Sequence, residues 1–267
     1  MTAYRSDFCS LSLAQMLAKR ARELPHAVAI ETHDPSGSGS ATSYSELATR
    51  SATLAGALRE LAVTDGVLLA LAAPAAGIVD GLLAAQWAGH ALLPLDPALA
   101  ETRLILLQAQ SPHPIHRLAG LPSANDEDSP AAKPASPDPE AAALVIATSG
   151  SEGAPKGVVL SHRSLYAAAV ASRSGIPLAP GDRWLNCLPL THVGGLSILW
   201  RCFHAGASVL LHERFSAPAV WADLQAGRAS HISLVPAMLA RVLDAAGDST
   251  APNTLRCVLV GGAALSQ

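Results

Sequence analysis

The sequence predicts an α/β fold in which mostly parallel sheets are covered by helices, and three observations carry that reading. Short apolar runs alternate with longer stretches of helical periodicity along most of the chain, as they do where helices connect parallel strands. Two of those runs, Ala143–Ala147 and Val158–Leu160, flank a glycine- and hydroxyl-rich segment, the pattern of two interior strands joined by a turn. Charged residues make up 15% of the 267 residues and hydrophobic ones 50%, where soluble domains usually carry roughly 25% charge. Much of the apolar excess is alanine, which points to close packing of small side chains.

The elements follow in order. Leu13, Met16, Leu17 and Leu24 recur at helical spacing until Pro25 stops the helix. Ser43 and Glu46 form a capping box for a helix with Leu47, Leu54, Leu58 and Leu61 on one face. Strand Val67–Leu71, a helix over Ile78–Trp87 and strand Ala91–Leu95 come next. From Ser111 to Pro139 the chain turns rich in proline, serine and acidic residues, which reads as a linker at a mobile boundary. The expected organisation is a first α/β subdomain over 1–120, a linker over 121–141 and a second α/β subdomain over 142–267.

Beyond the linker the alternation resumes. Ala143–Thr148 is a strand, and Ser161 caps a helix that runs to about Ser172. Arg183–Leu188, Ala207–Leu211, His231–Val235 and Arg256–Val260 read as further strands. The helices between them are His192–Ala205, Pro218–Ala226 and one that Pro236 opens at its first turn. No internal repeat is visible. Ligands in such sheets sit beyond the carboxyl ends of the strands, where both Thr148–Gly153 and Gly261–Ala263 fall.

Composition removes several classes of function. A net charge of −3 gives no electrostatic case for nucleic acid or an anionic membrane. The longest apolar region, Val67 to Leu95, is broken by Pro74, Asp80, Gln86 and His90, whereas a membrane span needs about 20 apolar residues. No basic start precedes an apolar stretch at the N-terminus, so no secretory signal is expected and the cytosol is the default. Cys9, Cys187, Cys202 and Cys257 contain no C-x-x-C pair and are expected to be reduced thiols, mostly buried. His113 and His116 have a spacing open to a metal, but the prolines around them favour a loop. No metal-ligand cluster is expected.

Thr148-Ser-Gly-Ser-Glu-Gly-Ala-Pro-Lys-Gly157 is the most informative stretch. Its glycines let the main chain approach phosphate oxygens, its small hydroxyls add donors, and Lys156 adds a positive charge. It is not a Walker A sequence, because Gly157 rather than a hydroxyl residue follows Lys156. By composition alone it reads equally well as a flexible linker; the flanking strands favour a phosphate site.

The order of residues in this stretch closely resembles the phosphate loop of the adenylate-forming superfamily, which includes acyl-CoA synthetases, luciferases and peptide-synthetase adenylation domains. Four further segments resemble that family in order: Ser43-Tyr-Ser-Glu-Leu47, Gly89-His-Ala-Leu-Leu-Pro-Leu-Asp-Pro97, Leu188-Pro-Leu-Thr-His-Val-Gly-Gly195 and Gly261-Gly-Ala-Ala-Leu265. Ser161-His-Arg-Ser-Leu165 is similar to the helix start that follows the family's loop. The resemblance implies the N-terminal part of the adenylate-forming synthetase fold, two α/β subdomains, with the C-terminal domain absent.

The resemblance also implies roles. Thr148, Ser149, Gly150, Ser151 and Gly153 would hold the β- and γ-phosphates of ATP, and Lys156 would compensate charge as a supportive catalytic group. Gly262 and Ala263 would line the adenine and acyl side. His192 would orient substrate between the acyl pocket and the pantetheine channel, with Gly194 and Gly195 keeping the backbone close; alone, such a histidine would read as a structural group. Glu152 departs from the family's commoner threonine and is expected to point outward, away from triphosphate.

Within the family, Cys187–Arg201 followed by Ala205-Gly-Ala207 is most similar to the 2-succinylbenzoate–CoA ligases of menaquinone synthesis. A dicarboxylate needs a cationic partner, for which Arg201 is the candidate if it faces the pocket; a surface arginine is the plain alternative. The implied activity is ATP-dependent acid–CoA ligation through an acyl-adenylate, with ATP and Mg2+ and with coenzyme A as co-substrate. A medium-chain or aryl acid is the alternative substrate. The chain stops at Gln267, before the family's later motifs and its small C-terminal domain with the catalytic lysine. It is therefore expected to be inactive alone, with a separate C-terminal piece or a homo-oligomer as open partners. A nonenzymatic nucleotide- or acyl-binding module, or an interaction protein, is the reading from another class.

Overall fold

The computed structural model describes residues 10–34, 39–60, 67–111, 114–122, 133–149 and 155–264. In chain order the described elements are α1 (Leu13–Glu23), β1 (Val28–Thr32), β2 (Ala41–Ser43), α2 (Tyr44–Glu60), β3 (Leu68–Ala72), α3 (Ala75–Ala88), β4 (Ala91–Leu95), α4 (Ala100–Gln110), β5 (Ile115–Leu118), β6 (Ala142–Ser149), β7 (Pro155–Ser161), α5 (His162–Ser172), β8 (Arg183–Asn186), α6 (Val193–Ala205), β9 (Ser208–Leu211), α7 (Ala217–Gln225), β10 (His231–Leu234), α8 (Pro236–Ala246) and β11 (Cys257–Val260). They build two sheets, one of strand order β11-β10-β8-β9-β1-β2 and one of order β5-β3-β4-β6-β7. All pairings are parallel except β1 with β2 and β6 with β7. The expected α/β class and mostly parallel sheets are what the chain forms.

The expected division at 121–141 does not match the sheets. Strand β1, from the first part of the chain, pairs with β9 from the second, Ile30 opposite Val209, and carries β2 on its outer side. Strands β6 and β7, from the second part, extend the sheet of β3, β4 and β5. The proline- and serine-rich stretch is thus a connection within one sheet, between β5 and β6. It is also partly pinned, since Ala135 N–H donates to the Trp87 carbonyl.

One continuous core contains Leu13 and Leu17 of α1, Leu47 and Leu58 of α2, Leu82 of α3, and Leu199 and Phe203 of α6, together with residues of both sheets. These helices are therefore the layer the two sheets share. Their apolar faces are wide enough to cover two sheets at once, and Ala52, Ala55, Ala84 and Ala85 let them approach closely. The buried Gln86 spans the layer, its Oε1 accepting from Leu13 N–H at 3.1 Å and its Nε2 donating to the Ala143 carbonyl at 3.4 Å. A second core packs α7 and α8 on the six-stranded sheet around Leu185, Leu210, Val220 and Ile232.

Local chemistry sets the element ends as the sequence led us to expect. Glu46 Oε2 accepts from Ser43 N–H at 2.7 Å while Ser43 Oγ accepts from Glu46 N–H at 3.3 Å, which closes the capping box. Ser161 Oγ accepts from Ser164 N–H at 3.2 Å at the start of α5. Pro236 is the first residue of α8. Four elements were not foreseen: β1, β2, α4 and β5.

Candidate active site

The site is built where the strands of the six-stranded sheet end. After β8 the chain passes through Cys187–Thr191 and enters α6, with His192 as its N-cap. Asn186, fully buried at the end of β8, fixes that passage. Its Nδ2 donates to the Gly195 carbonyl at 3.0 Å, and its Oδ1 accepts from Leu188 N–H at 3.2 Å. The first turn of α6 is thereby drawn against the loop. A Cβ at Gly195 would meet the Pro189 and Leu188 carbonyl oxygens at 2.7 and 2.9 Å, so only glycine fits there.

Helix α6 then forms one wall of a cleft of about 170 Å3. Gly194, Ser197 and Arg201 come from the helix, Ser233 from β10, and Gly261 and Gly262 from the end of β11. Gly262 has φ of +83°, a left-handed conformation that favours glycine and lets the backbone turn back over Val235. Ser233 was not singled out from sequence; its Oγ accepts from Trp184 Nε1 at 3.1 Å. A hydroxyl residue within the apolar run Ile232–Leu234 was the available signal.

Arg201 is the charged group of this cleft. Its guanidinium carbon lies 5.5 Å from the centre of the Trp184 ring, a cation–π contact. Burial pulls its pKa below the usual arginine value. Among the described residues no carboxylate forms an ion pair with it. It is not a free surface arginine: it lines the cleft as a partly buried cation. Burying a charge without a counterion is costly, so an anion in the cleft would relieve that cost.

The two expected ends of the site lie on different sheets. Thr148 and Lys156 face each other in register on the β6–β7 hairpin, and Thr148 Oγ1 donates to the Lys156 carbonyl at 3.2 Å. Lys156 is exposed and lines a groove of about 380 Å3 whose other walls are mostly apolar, Leu68, Leu93, Leu107 and Val145 among them, with Gln110 and Ser111 as polar members. Ser149 ends β6. Gly150, Ser151 and Gly153, like Glu152, lie outside the described residues. His192 is exposed at the helix start and makes no capping bond with its side chain; it is not among the residues that line the cleft. Ala263 is exposed beside Gly262. The cleft thus brings Gly194, Arg201 and Gly262 together, with Gly195 beneath and His192 at its edge.

Cys187 and Cys202 are buried free thiols and Cys257 is half-buried. Burial pushes the Cys187 thiol up to about 12, so it is no nucleophile near neutral pH. Cys9 and His113 lie outside the described residues, and His116 is exposed. The structure does bring together one set of metal-ligand types that the sequence did not reveal, His33, His212 and Asp223. No helix among the described residues is long and apolar enough to cross a membrane.

Comparison with known proteins places this geometry. The AMP-binding enzyme family model matches residues 105–267. The chain is 41% identical to a 2-succinylbenzoate–CoA ligase of Bacillus mycoides over 123 residues, 46% of this chain and 26% of the relative. Its fold superimposes on o-succinylbenzoate CoA synthetase from Bacillus subtilis in complex with the acyl-adenylate intermediate OSB-AMP, with a TM-score of 0.80 and 27% identity. That match covers 93% of this chain and 53% of the synthetase. The same synthetase in complex with ATP and magnesium ion gives a TM-score of 0.76 at 27% identity, over 92% and 54%. The chain spans about half the length of these solved structures, and the matched region about a quarter of the curated relative. With five ordered motifs, a glycine-rich hairpin after a parallel strand and a cleft at the carboxyl rim, the chain belongs to the AMP-binding enzyme family.

Proposed function

We propose that this chain carries the ATP- and acid-binding part of an AMP-forming carboxylic acid–CoA ligase, and that its acid is 2-succinylbenzoate. The observation that carries the reading is Arg201, a partly buried cation without a carboxylate partner among the described residues, in a cleft otherwise lined by glycine, serine and aliphatic side chains. A substrate with a second carboxylate meets that cation with its far end while its reacting carboxylate points out of the cleft. A monocarboxylic acid with an apolar tail would leave Arg201 unpaired.

The chemistry assigned to the site has two steps. The reacting carboxylate attacks the α-phosphorus of ATP, the bond to the β-phosphate oxygen breaks, and pyrophosphate leaves. The thiolate of coenzyme A then attacks the acyl carbon, and AMP departs with the bonding electrons to its phosphate oxygen. In this reading Thr148, Ser149 and the glycines that follow donate to the β- and γ-phosphates, and Lys156 opposes the charge that accumulates on the leaving group. Gly194 and Gly195 let the backbone of α6 approach the acyl group, Gly262 and Ala263 border the nucleotide, and His192 orients the acid at the mouth. The described hairpin residues offer hydroxyls and an ammonium but no carboxylate. Mg2+ would therefore arrive on the nucleotide, supplying charge neutralisation there.

The activity of a whole ligase and that of these 267 residues are separate proposals. We assign the isolated chain binding without appreciable turnover, because its cleft is open and Gly261–Ala264 are exposed. Titration of the purified chain with ATP and with 2-succinylbenzoate, followed by calorimetry, tests the reading. Saturable binding of both is expected, with ATP binding weakened by a Thr148→Ala, Lys156→Ala double variant and acid binding weakened by Arg201→Leu. Binding of neither ligand by a folded chain would overturn the assignment. Release of AMP dependent on acid and CoA by the same preparation would overturn only the claim of inactivity.

A further inference from the structure

His33, His212 and Asp223 meet at the carboxyl rim of the six-stranded sheet and are not among the residues that line the cleft. His33 directly follows β1 and His212 directly follows β9. Those strands are parallel neighbours with Thr32 opposite Leu211, so the register sets the two histidines side by side. Backbone bonds hold them: His33 N–H donates to the Leu211 carbonyl at 2.8 Å, and His212 N–H to that of Asn186 at 2.9 Å. Their rings stack with centroids 4.1 Å apart and planes 19° off parallel. Asp223, on α7, aims Oδ2 between them, 2.8 Å from His33 Nδ1 and 2.8 Å from His212 Nε2.

Proton bookkeeping shows that this cluster is not closed by its own hydrogen bonds. His212 Nε2 bonds to Oδ2. Both ring nitrogens of His33 are buried without a hydrogen-bonded partner, Nδ1 being near Oδ2 but not aligned with it. Buried polar atoms in native proteins are nearly always satisfied, because an orphan forfeits its hydration without gaining a partner. The other carboxylate oxygen, Oδ1, is already held by Arg228 Nη1, whose second nitrogen binds Glu31 at 2.6 Å. That grip fixes the carboxylate and leaves Oδ2 as a single directed donor, as outer partners do for metal ligands.

We propose that His33 Nδ1, His212 Nε2 and Asp223 Oδ2 bind a divalent transition-metal ion of the zinc class, clipping β1 and β9 to α7. Two imidazoles and a carboxylate suit that class of ion, and water fills the fourth tetrahedral position. Bonds of about 2.0–2.2 Å in a tetrahedron set ligand atoms about 3.3–3.6 Å apart. The present 2.8 Å separations must therefore open by about 0.5–0.8 Å, and the His33 ring must turn out of its stack on His212 so that both nitrogens face the ion. His33 has the most room to do this: its side chain is 14% exposed, against 2% for His212 and 6% for Asp223.

The test uses the 267-residue chain stripped with a chelator and titrated with Zn2+ alone by calorimetry, then with Co2+ alone by absorption spectroscopy. One equivalent of Zn2+ is expected, with intense d–d bands of tetrahedral Co2+ and no thiolate-to-cobalt band. Zinc should raise the melting temperature of the parent chain. In His33→Gln, affinity should fall about 100-fold or more, since even outer partners are worth 10–100-fold, and the thermal shift should vanish. Zinc-edge X-ray absorption on the parent chain needs no variant and should count two imidazoles and no sulfur. The proposal is overturned by absence of stoichiometric binding, by unchanged binding in a folded His33→Gln chain, or by sulfur ligation, which would move the ion to a cysteine.

Discussion

Asn186 Nδ2 donates to the Gly195 carbonyl at 3.0 Å, joining the end of β8 to the first turn of α6 from inside the protein. That bond satisfies a carbonyl in the turn that carries His192 and Gly194 and sets the wall of the cleft. Asn186→Ala removes it together with the Oδ1 bond to Leu188 N–H, which is left without its partner inside the loop. Such orphans cost about 1–3 kcal/mol each, so urea unfolding should show a loss within or above that range. Calorimetry at a temperature where the variant is folded should also show weaker acid binding. A variant as stable as the parent would mean that the loop is held by other contacts.

The two glycines that open α6 should behave oppositely. At Gly194 an added Cβ would meet only Leu188 Cδ1, at 3.5 Å, an ordinary contact. Gly194→Ala should thus be neutral or stabilise by up to about 1 kcal/mol through helix propensity. Gly195→Ala places the same methyl group against two backbone oxygens closer than 3.0 Å, and should cost about 1–3 kcal/mol, as overpacking does. Thermal unfolding of the pair decides the matter: equal melting temperatures would contradict the geometry.

Much of this was legible before any coordinates, and the exceptions have physical causes. The β6–β7 hairpin was readable from its two apolar runs, but only β6 is interior as expected, with Leu144, Val145 and Ile146 buried; β7 is the sheet's edge strand, and its Val158 and Val159 are exposed. Ser43 with Glu46, Ser161 and Pro236 announced their helices through local bonds that neighbours in sequence make unaided. Helix α4 gave no such signal, since only Ala100 and Leu107 are buried while Ile105 and Leu106 face solvent, which blurs its periodicity. Strand β5, Ile115-His-Arg-Leu118, lies at a sheet edge with its two central residues exposed. The His33–His212 pair was invisible because its ligands are joined by the register of β1 on β9, not by any spacing in sequence. Likewise, composition marked a boundary at 121–141 but had no means of showing that β1 and β2 cross over to the other sheet.

Arg201 offers a test that separates recognition from stability. In a protein of the relatives' full length, Arg201→Leu should raise the KM for a dicarboxylic acid about 10- to 150-fold, the equivalent of 1.5–3 kcal/mol for a hydrogen bond to a charged group. The same change removes a partly buried cation that no carboxylate among the described residues neutralises, so the ligand-free protein should keep its melting temperature within a few degrees as leucine repacks against Trp184. Steady-state rates with succinylbenzoate and with a monocarboxylic analogue provide the comparison. Equal losses for both acids would assign Arg201 to the architecture of the cleft.

His162 predicts a specific pH dependence. It is the first residue of α5, 3% exposed, and its Nδ1 has no hydrogen-bond partner. Burial lowers its pKa from the ordinary 6.5 to about 4. Between those values the unfolded chain binds a proton that the folded chain refuses, so stability rises with pH there. The contribution is complete above pH 6.5, declines as pH falls from 6.5, and is lost once pH reaches about 4. Its slope is at most about 1.4 kcal/mol per pH unit, the value for one proton. His204, His212 and His231 are shifted downward as well, so the parent profile alone is not diagnostic. The difference between the parent and His162→Leu in urea unfolding at pH 7.5, 6.5, 5.5 and 4.5, about evenly spaced across this window, isolates the group: the variant should gain on the parent as pH falls, and parallel curves would show that His162 titrates alike in both states.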